Sequence, residues 1–172
     1  LNSFSKIIAL LIAVLLLFLV PIFYFAQKQD AVIQNYVMTE TASFMDTIRN
    51  NGYVTKEMYN SFLKKLDATN LLYKIQMERV HPMVNPVYEE QTGTFMNDVT
   101  THYQKSYSED MRKEIYEGKG IYQFQQGDYI SVKIVNRTKT YATRLQQMLY
   151  AHEMPTIQIY VTYGGIIRDE NY

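Results

Sequence analysis

The chain has 172 residues, and its 17 basic side chains balance its 17 acidic ones to zero formal charge. No basic stripe stands out, which argues against a nucleic-acid partner. It has no cysteine, so disulfides, thiol catalysis and thiolate metal sites are excluded.

Residues 7–26, IIALLIAVLLLFLVPIFYFA, form the one long uncharged run. A helix of that length spans roughly 30 Å, the thickness of a bilayer's hydrocarbon core. Ile7, Ile8, Leu10, Leu11, Val14, Leu15, Leu17, Phe18, Val20, Pro21, Phe23 and Phe25 are the residues assigned to a membrane-spanning or helix-bundling surface. Lys6 flanks one side of the run, and Lys28 offset by Asp30 flanks the other. The charge bias is nearly even, and an N-terminus inside with the body outside is the expected orientation. The chain starts at Leu1 with the apolar run still attached. That fits cleavage of a leader before the hydrophobic stretch, and it also fits a simple signal anchor with a short preceding tail. Pro21 removes a backbone hydrogen bond to Leu17. It reads either as a tolerated kink or as a point where the helix can loosen.

The helix is expected to continue to Arg49, since residues 27–49 contain no Gly or Pro. Ile33, Val37, Phe44 and Ile48 recur on one helical face, widened by Tyr36 and Met45. That face is predicted to pack against the rest of the chain. The whole rod would be roughly 70 Å long. Gly52, after Asn50 and Asn51, is placed to cap it in the left-handed conformation.

Beyond it, Thr55 is predicted to cap a second helix whose apolar face is Met58, Tyr59, Phe62, Leu63 and Leu66. Residues 72–80 alternate and read as a strand, with Tyr73, Ile75 and Met77 on one side. His81-Pro82 should end it, and Pro86 should keep residues 83–90 irregular. A third helix is expected over 97–117, because Phe95, Val99, Tyr103, Tyr107, Met111 and Ile115 fall at steps of four. Residues 121–125 and 129–136 read as strands flanking a Gln126-Gly127-Asp128 turn. Thr138 or Thr140 would cap a fourth helix through His152, with Tyr141, Leu145, Met148 and Leu149 inward, and Pro155 would end it. Residues 156–163 read as a last strand on which Ile157, Ile159 and Val161 alternate with polar residues. Gly164-Gly165 should turn, so that Ile166-Ile167 pair back. The expected class is α+β: a long N-terminal helix over 1–51 and a head over 52–172 with an antiparallel sheet of about four strands and helices.

Chemistry is sparse. His81, His102 and His152 have no partner at metal spacing, and no phosphate loop or nucleophile motif occurs. Glu89-Glu90 and Asp169-Glu170 read as solvated carboxylates. Asn136-Arg137-Thr138 fits a glycosylation sequon, a pattern common by chance. The 16 tyrosines are read as core and interface packing. The chain is read as a non-enzyme without a cofactor or metal.

The order of parts resembles a type IV pilin-like subunit: an apolar helix at the start with a proline well along it, an amphipathic continuation, and a C-terminal α+β head. Among these it is most similar to tight-adherence (Tad-like) pilins and pseudopilins of Firmicutes-type bacteria, through the runs RNNGYVTKEMYNSFLKKLDATN, YKIQMERVH and QQGDYISVKIVN. The resemblance implies a structural subunit, cleaved before Leu1 by a prepilin peptidase and extracted from the cell membrane by an assembly ATPase and platform protein. It would then polymerise with copies of itself into an extracellular, adhesive filament by bundling its apolar helix. Pilins of this kind usually carry a glutamate near the start, and residues 1–6 contain no acid. The alternative is a single-span anchored extracytoplasmic binding or sensor domain, or an envelope scaffold; an anchored enzyme is a third reading.

Overall fold

The computed structural model describes residues 3–88, 95–150 and 158–168. Leu1, Glu89-Glu90, His152, Pro155, Thr156, Ile157 and Asp169-Glu170 lie outside the described residues.

The first element, α1 (Ser3–Asn51), is one continuous helix that passes through Pro21. Its end is set by Gly52, whose φ of 72° is the left-handed conformation and whose N–H donates to the Ile48 carbonyl at 2.9 Å. The chain then forms β1 (Tyr53–Thr55) and α2 (Lys56–Asp67). The Thr55 hydroxyl caps α2 by accepting from the Met58 N–H. Next come β2 (Tyr73–Tyr88), β3 (Phe95–Tyr107), α3 (Ser108–Tyr116), β4 (Ile121–Gln123), β5 (Tyr129–Asn136), α4 (Tyr141–Tyr150) and β6 (Tyr160–Ile166). The fold is α+β. A four-stranded antiparallel sheet has the order β3-β2-β5-β6, and β1 pairs separately with β4.

The sheet buries one face. Ile130, Val132 and Ile134 of β5, Met77 of β2 and Val161 of β6 point into the core, while Lys74, Gln76 and Lys133 on the opposite face are exposed. The inner face meets the second half of α1. Asp30, Ile33, Val37, Thr41, Phe44, Met45 and Ile48 are buried along one stripe of that helix, so the core runs across residue 51. Phe44 stacks on Phe62 of α2 with ring centroids 4.2 Å apart.

Contacts fix the direction of α1. Arg49 Nε donates to the Ile166 carbonyl at 3.1 Å, and the Tyr163 hydroxyl donates to Asp46. The end of the sheet formed by Ile166, Tyr129 and Val80 therefore lies far from the apolar half of α1. The end formed by Tyr73, Asn136 and Tyr160 lies nearer to it. From Glu40 to Thr47, α1 faces α2, through the Glu40–Lys65 ion pair at 2.6 Å and a shared groove. The helix α4, which follows the Asn136 end of β5, also packs on α1.

Several sequence expectations are corrected here. Residues 97–107 are strand rather than helix, and only Ser108–Tyr116 is helical. A spacing of four is also a multiple of two, so Phe95, Val99, Tyr103 and Tyr107 share one face of a strand as readily as of a helix. Pairing with β2 decides for the strand. Residues 83–88 are not irregular: β2 runs through Pro82 and Pro86, paired with Tyr103 and Val99. Met77 shows why this is tolerated. Its N–H donates to Ser108 Oγ, and its carbonyl accepts from the same hydroxyl, so its backbone faces the β3 side. Strand backbones alternate sides, and Pro82 and Pro86 lie an odd number of residues away. Their missing donors fall on the edge that β5 has already left, since β5 pairing stops at Val80. The β2–β3 ribbon thus continues past the sheet at the end away from the apolar half of α1.

The strands β4 and β5 flank the expected turn, with Gly127 at φ 88°, yet they join different sheets. The fourth helix turns the other way round from expectation. Ala142 and Thr143 are buried, while Tyr141, Met148 and Leu149 are exposed and Leu145 is half-buried. Small inward residues let α4 approach α1 closely. Gly164 and Gly165 are not a turn but part of β6, and Ile166 does not pair back but continues the strand opposite Tyr129. Both glycines serve close approach. A Cβ at Gly165 would lie 2.5 Å from Arg49 Nε, and one at Gly164 would lie 2.8 Å from the Ile130 carbonyl oxygen.

Candidate functional site

Two features stand apart from ordinary packing. The first is the apolar half of α1. Ile7, Ile8, Leu10, Leu11, Val14, Leu15, Leu17, Phe18, Val20, Pro21 and Phe25 are exposed, and Phe23 is half-buried. The exposure runs around the whole helix rather than along a stripe, with Leu10 at 67% and Leu17 at 71%. α1 is the one helix among the described residues long and apolar enough to cross a membrane. In water such a surface is unfavourable by about 25 cal/mol for each Å², so lipid or other apolar helices must cover it. Inside it, Pro21 leaves the Leu17 carbonyl without its helical donor.

This half joins the head without a break. Ile33, Val37, Phe44 and Ile48 are buried on the continuation of the same helix. At the junction, Asp30 is buried among them, and neither of its carboxylate oxygens has a hydrogen-bond partner among the described residues. The charge pattern around the apolar run reads Asp30 as a flanking charge; its position three residues before Ile33 is the signal that puts it on the buried stripe.

No protein-family model, curated protein or solved structure matches this chain.

The second feature is a polar cluster around Asp128, which is fully buried. Its carboxylate accepts from Arg79 Nε at 2.5 Å and from the Gln125 N–H at 2.8 Å, and it lies 2.5 Å from His81 Nδ1. The Arg79 guanidinium also reaches the Tyr122 hydroxyl at 3.3 Å and lies beside the rings of Tyr122 and Phe124. Burial works against the Arg79 charge, but its hydrogen bonds to Tyr122 and Asp128 outweigh this and hold its pKa above the ordinary value. Both oxygens of the carboxylate are engaged, and the cluster acts as a clamp. It ties the Gln125–Asp128 turn to β2 where the ribbon leaves the sheet. His81 is therefore a structural partner of Asp128, and His102 is exposed on β3. Among the described residues no group of His, Cys, Asp and Glu is arranged to hold a metal ion.

Proposed function

We propose that this chain is the structural subunit of an extracellular pilus-like filament, held in the cell membrane by α1 before assembly and bundled through the same helix afterwards. The observation that carries the reading is the unbroken α1. Its first half is bare and apolar on every side, and its second half is the spine of the head. A head fixed rigidly to its apolar helix can be placed in a regular lattice by helix packing alone. A heterologous contact that does not close generates an open filament. Exchange of lipid for neighbouring helices keeps residues 7–26 out of water throughout, and Pro21 marks where the helix would loosen to fit. By resemblance, a prepilin peptidase, an assembly ATPase and a platform protein act on it, and its role in adhesion is structural rather than catalytic.

The missing acid in residues 1–6 favours a second reading, a single-span anchored extracytoplasmic binding, sensor or scaffold domain that stays in the membrane. Electron microscopy of material sheared from producing cells, with the N-terminus of the purified chain read by mass spectrometry, separates the two. The filament reading expects thin filaments built from a chain beginning at Leu1. A detergent-soluble monomer with an uncleaved preceding tail would sink it.

A further inference from the structure

The inverted helix α4 needs an occupant for its outer face. We infer that this face, formed by Tyr141, Arg144 and Met148 with Tyr150 at the C-terminal end of the helix, rests on the anionic headgroup layer of the bilayer that α1 enters. The inference rests on α1 spanning a membrane and is independent of whether the chain later polymerises.

Three observations converge. The face carries apolar and aromatic side chains where a soluble helix would be polar: Met148 is 75% exposed and Tyr141 is exposed beside it, and at the helix end Tyr150 is 63% exposed. It lies at the near end of the head, because α4 leaves β5 at the Asn136 end and packs on α1, whose buried stripe begins at Asp30, only a few residues beyond the apolar run. At about 1.5 Å per residue, the step from Ala26 to Ile33 is roughly 10 Å, the depth of a headgroup region. The charge is also suitable. From Arg137 to Tyr150 the chain carries Arg137, Lys139 and Arg144 and no acidic residue. Tyrosines over an apolar body with basic residues around them are the composition of an interfacial helix. Leu72 and Tyr160, exposed at the same end of the sheet, extend the belt.

The absence of tryptophan makes the test direct. Single tryptophans are placed in the full chain at Met148→Trp and, in a second variant, Tyr150→Trp. Leu10→Trp marks the bilayer core and Tyr103→Trp the exposed far strand. Each variant is reconstituted in vesicles of phosphatidylglycerol and phosphatidylcholine containing brominated lipid, with excitation selective for tryptophan. The expected result is strong quenching at 10, clear quenching at 148 and 150, and none at 103. Replacing Lys139 and Arg144 by Gln should lower the bound-to-lifted ratio by about fivefold for each charge. Quenching at 10 with water-like emission at 148 and 150 overturns the inference. So does shielding at 148 that brominated lipid does not quench and that vanishes as protein is diluted in lipid, which would assign the face to a second copy. Absence of quenching at 10 overturns both this inference and the spanning of the membrane by α1.

Discussion

Single residues in the head carry opposite kinds of electrostatic debt. Asp128 is buried and both its oxygens are engaged, by Arg79, His81 and the Gln125 N–H. Removing its charge strands Arg79 in a largely buried site, so Asp128→Asn should destabilise the head by about 3 kcal/mol in denaturant titrations. Asp30 is the reverse case, buried with neither oxygen bonded among the described residues. Asp30→Asn should raise the unfolding free energy from the same titration by about 1–3 kcal/mol, since an unmet charged group costs more to bury than a neutral amide. A drop on Asp30→Asn would show that the charge has a partner in the folded protein. Tyrosines set the alkaline limit. Burial raises the pKa of Tyr59 and, despite a hydrogen bond with Thr69, that of Tyr73, above the ordinary value of 10.0. Their protons are held more tightly in the folded chain than in the unfolded one. The stability this carries is complete below pH 10 and is lost as pH rises through the folded values. Tyr59→Phe keeps the ring against Phe44 and Tyr116 and removes the titration, so its alkaline unfolding should be displaced to higher pH, measured by circular dichroism.

Among the elements, the β2–β3 ribbon shows where pattern reading succeeds and where it fails. Helix α1 was legible because the apolar run over 7–26, the period and lack of Gly or Pro over 27–49 and the Gly52 stop all agree, and the helix passes through Pro21. The alternation of Ile130, Val132 and Ile134 was equally plain. Phe95–Tyr107 was not, because residues four apart satisfy both periods and only the partner strand distinguishes them. The prolines misled for a related reason: Pro82 and Pro86 forbid a strand only if their nitrogens face a neighbour, and that depends on where β5 ends. The same limit hid the Asp128 clamp, whose Arg79 and His81 come from a strand distant in sequence. The outward face of α4 was hidden too, since an apolar stripe does not say which side meets protein. The two prolines lie where an unpaired edge would otherwise invite another strand. Replacing both by Thr restores two N–H donors on that edge. Pro82→Thr/Pro86→Thr should therefore associate in a concentration-dependent way in detergent, seen by sedimentation velocity, where the parent does not. Unchanged sedimentation would mean that something else guards the edge.

At the scale of the whole molecule, the decisive property is that one helix serves two solvents. Its first half needs an apolar surrounding, and its second half is the wall on which α2, α4 and β6 pack. No flexible segment separates them, so a displacement or rotation of the apolar half moves the head with it. A domain that only needs to be held at a membrane gains nothing from this rigidity. A subunit whose position is set by packing of its apolar helix requires it, because angular freedom at the junction is multiplied over the length of the head. Inserting four residues, Gly-Ser-Gly-Ser, between Gln27 and Lys28 tests that difference. Gly in a helix interior costs about 1 kcal/mol relative to Ala, and the pair uncouples the two halves while leaving Asp30 and the buried stripe to the head. The inserted chain should still enter the membrane and give a head with parental thermal unfolding. On the filament reading it should yield no sheared filaments, and co-expression with the parent chain should shorten those that the parent forms. Filaments of normal length from the inserted chain alone would show that the rigid junction is dispensable, and would leave α1 as an anchor whose continuity with the head serves only to complete the core.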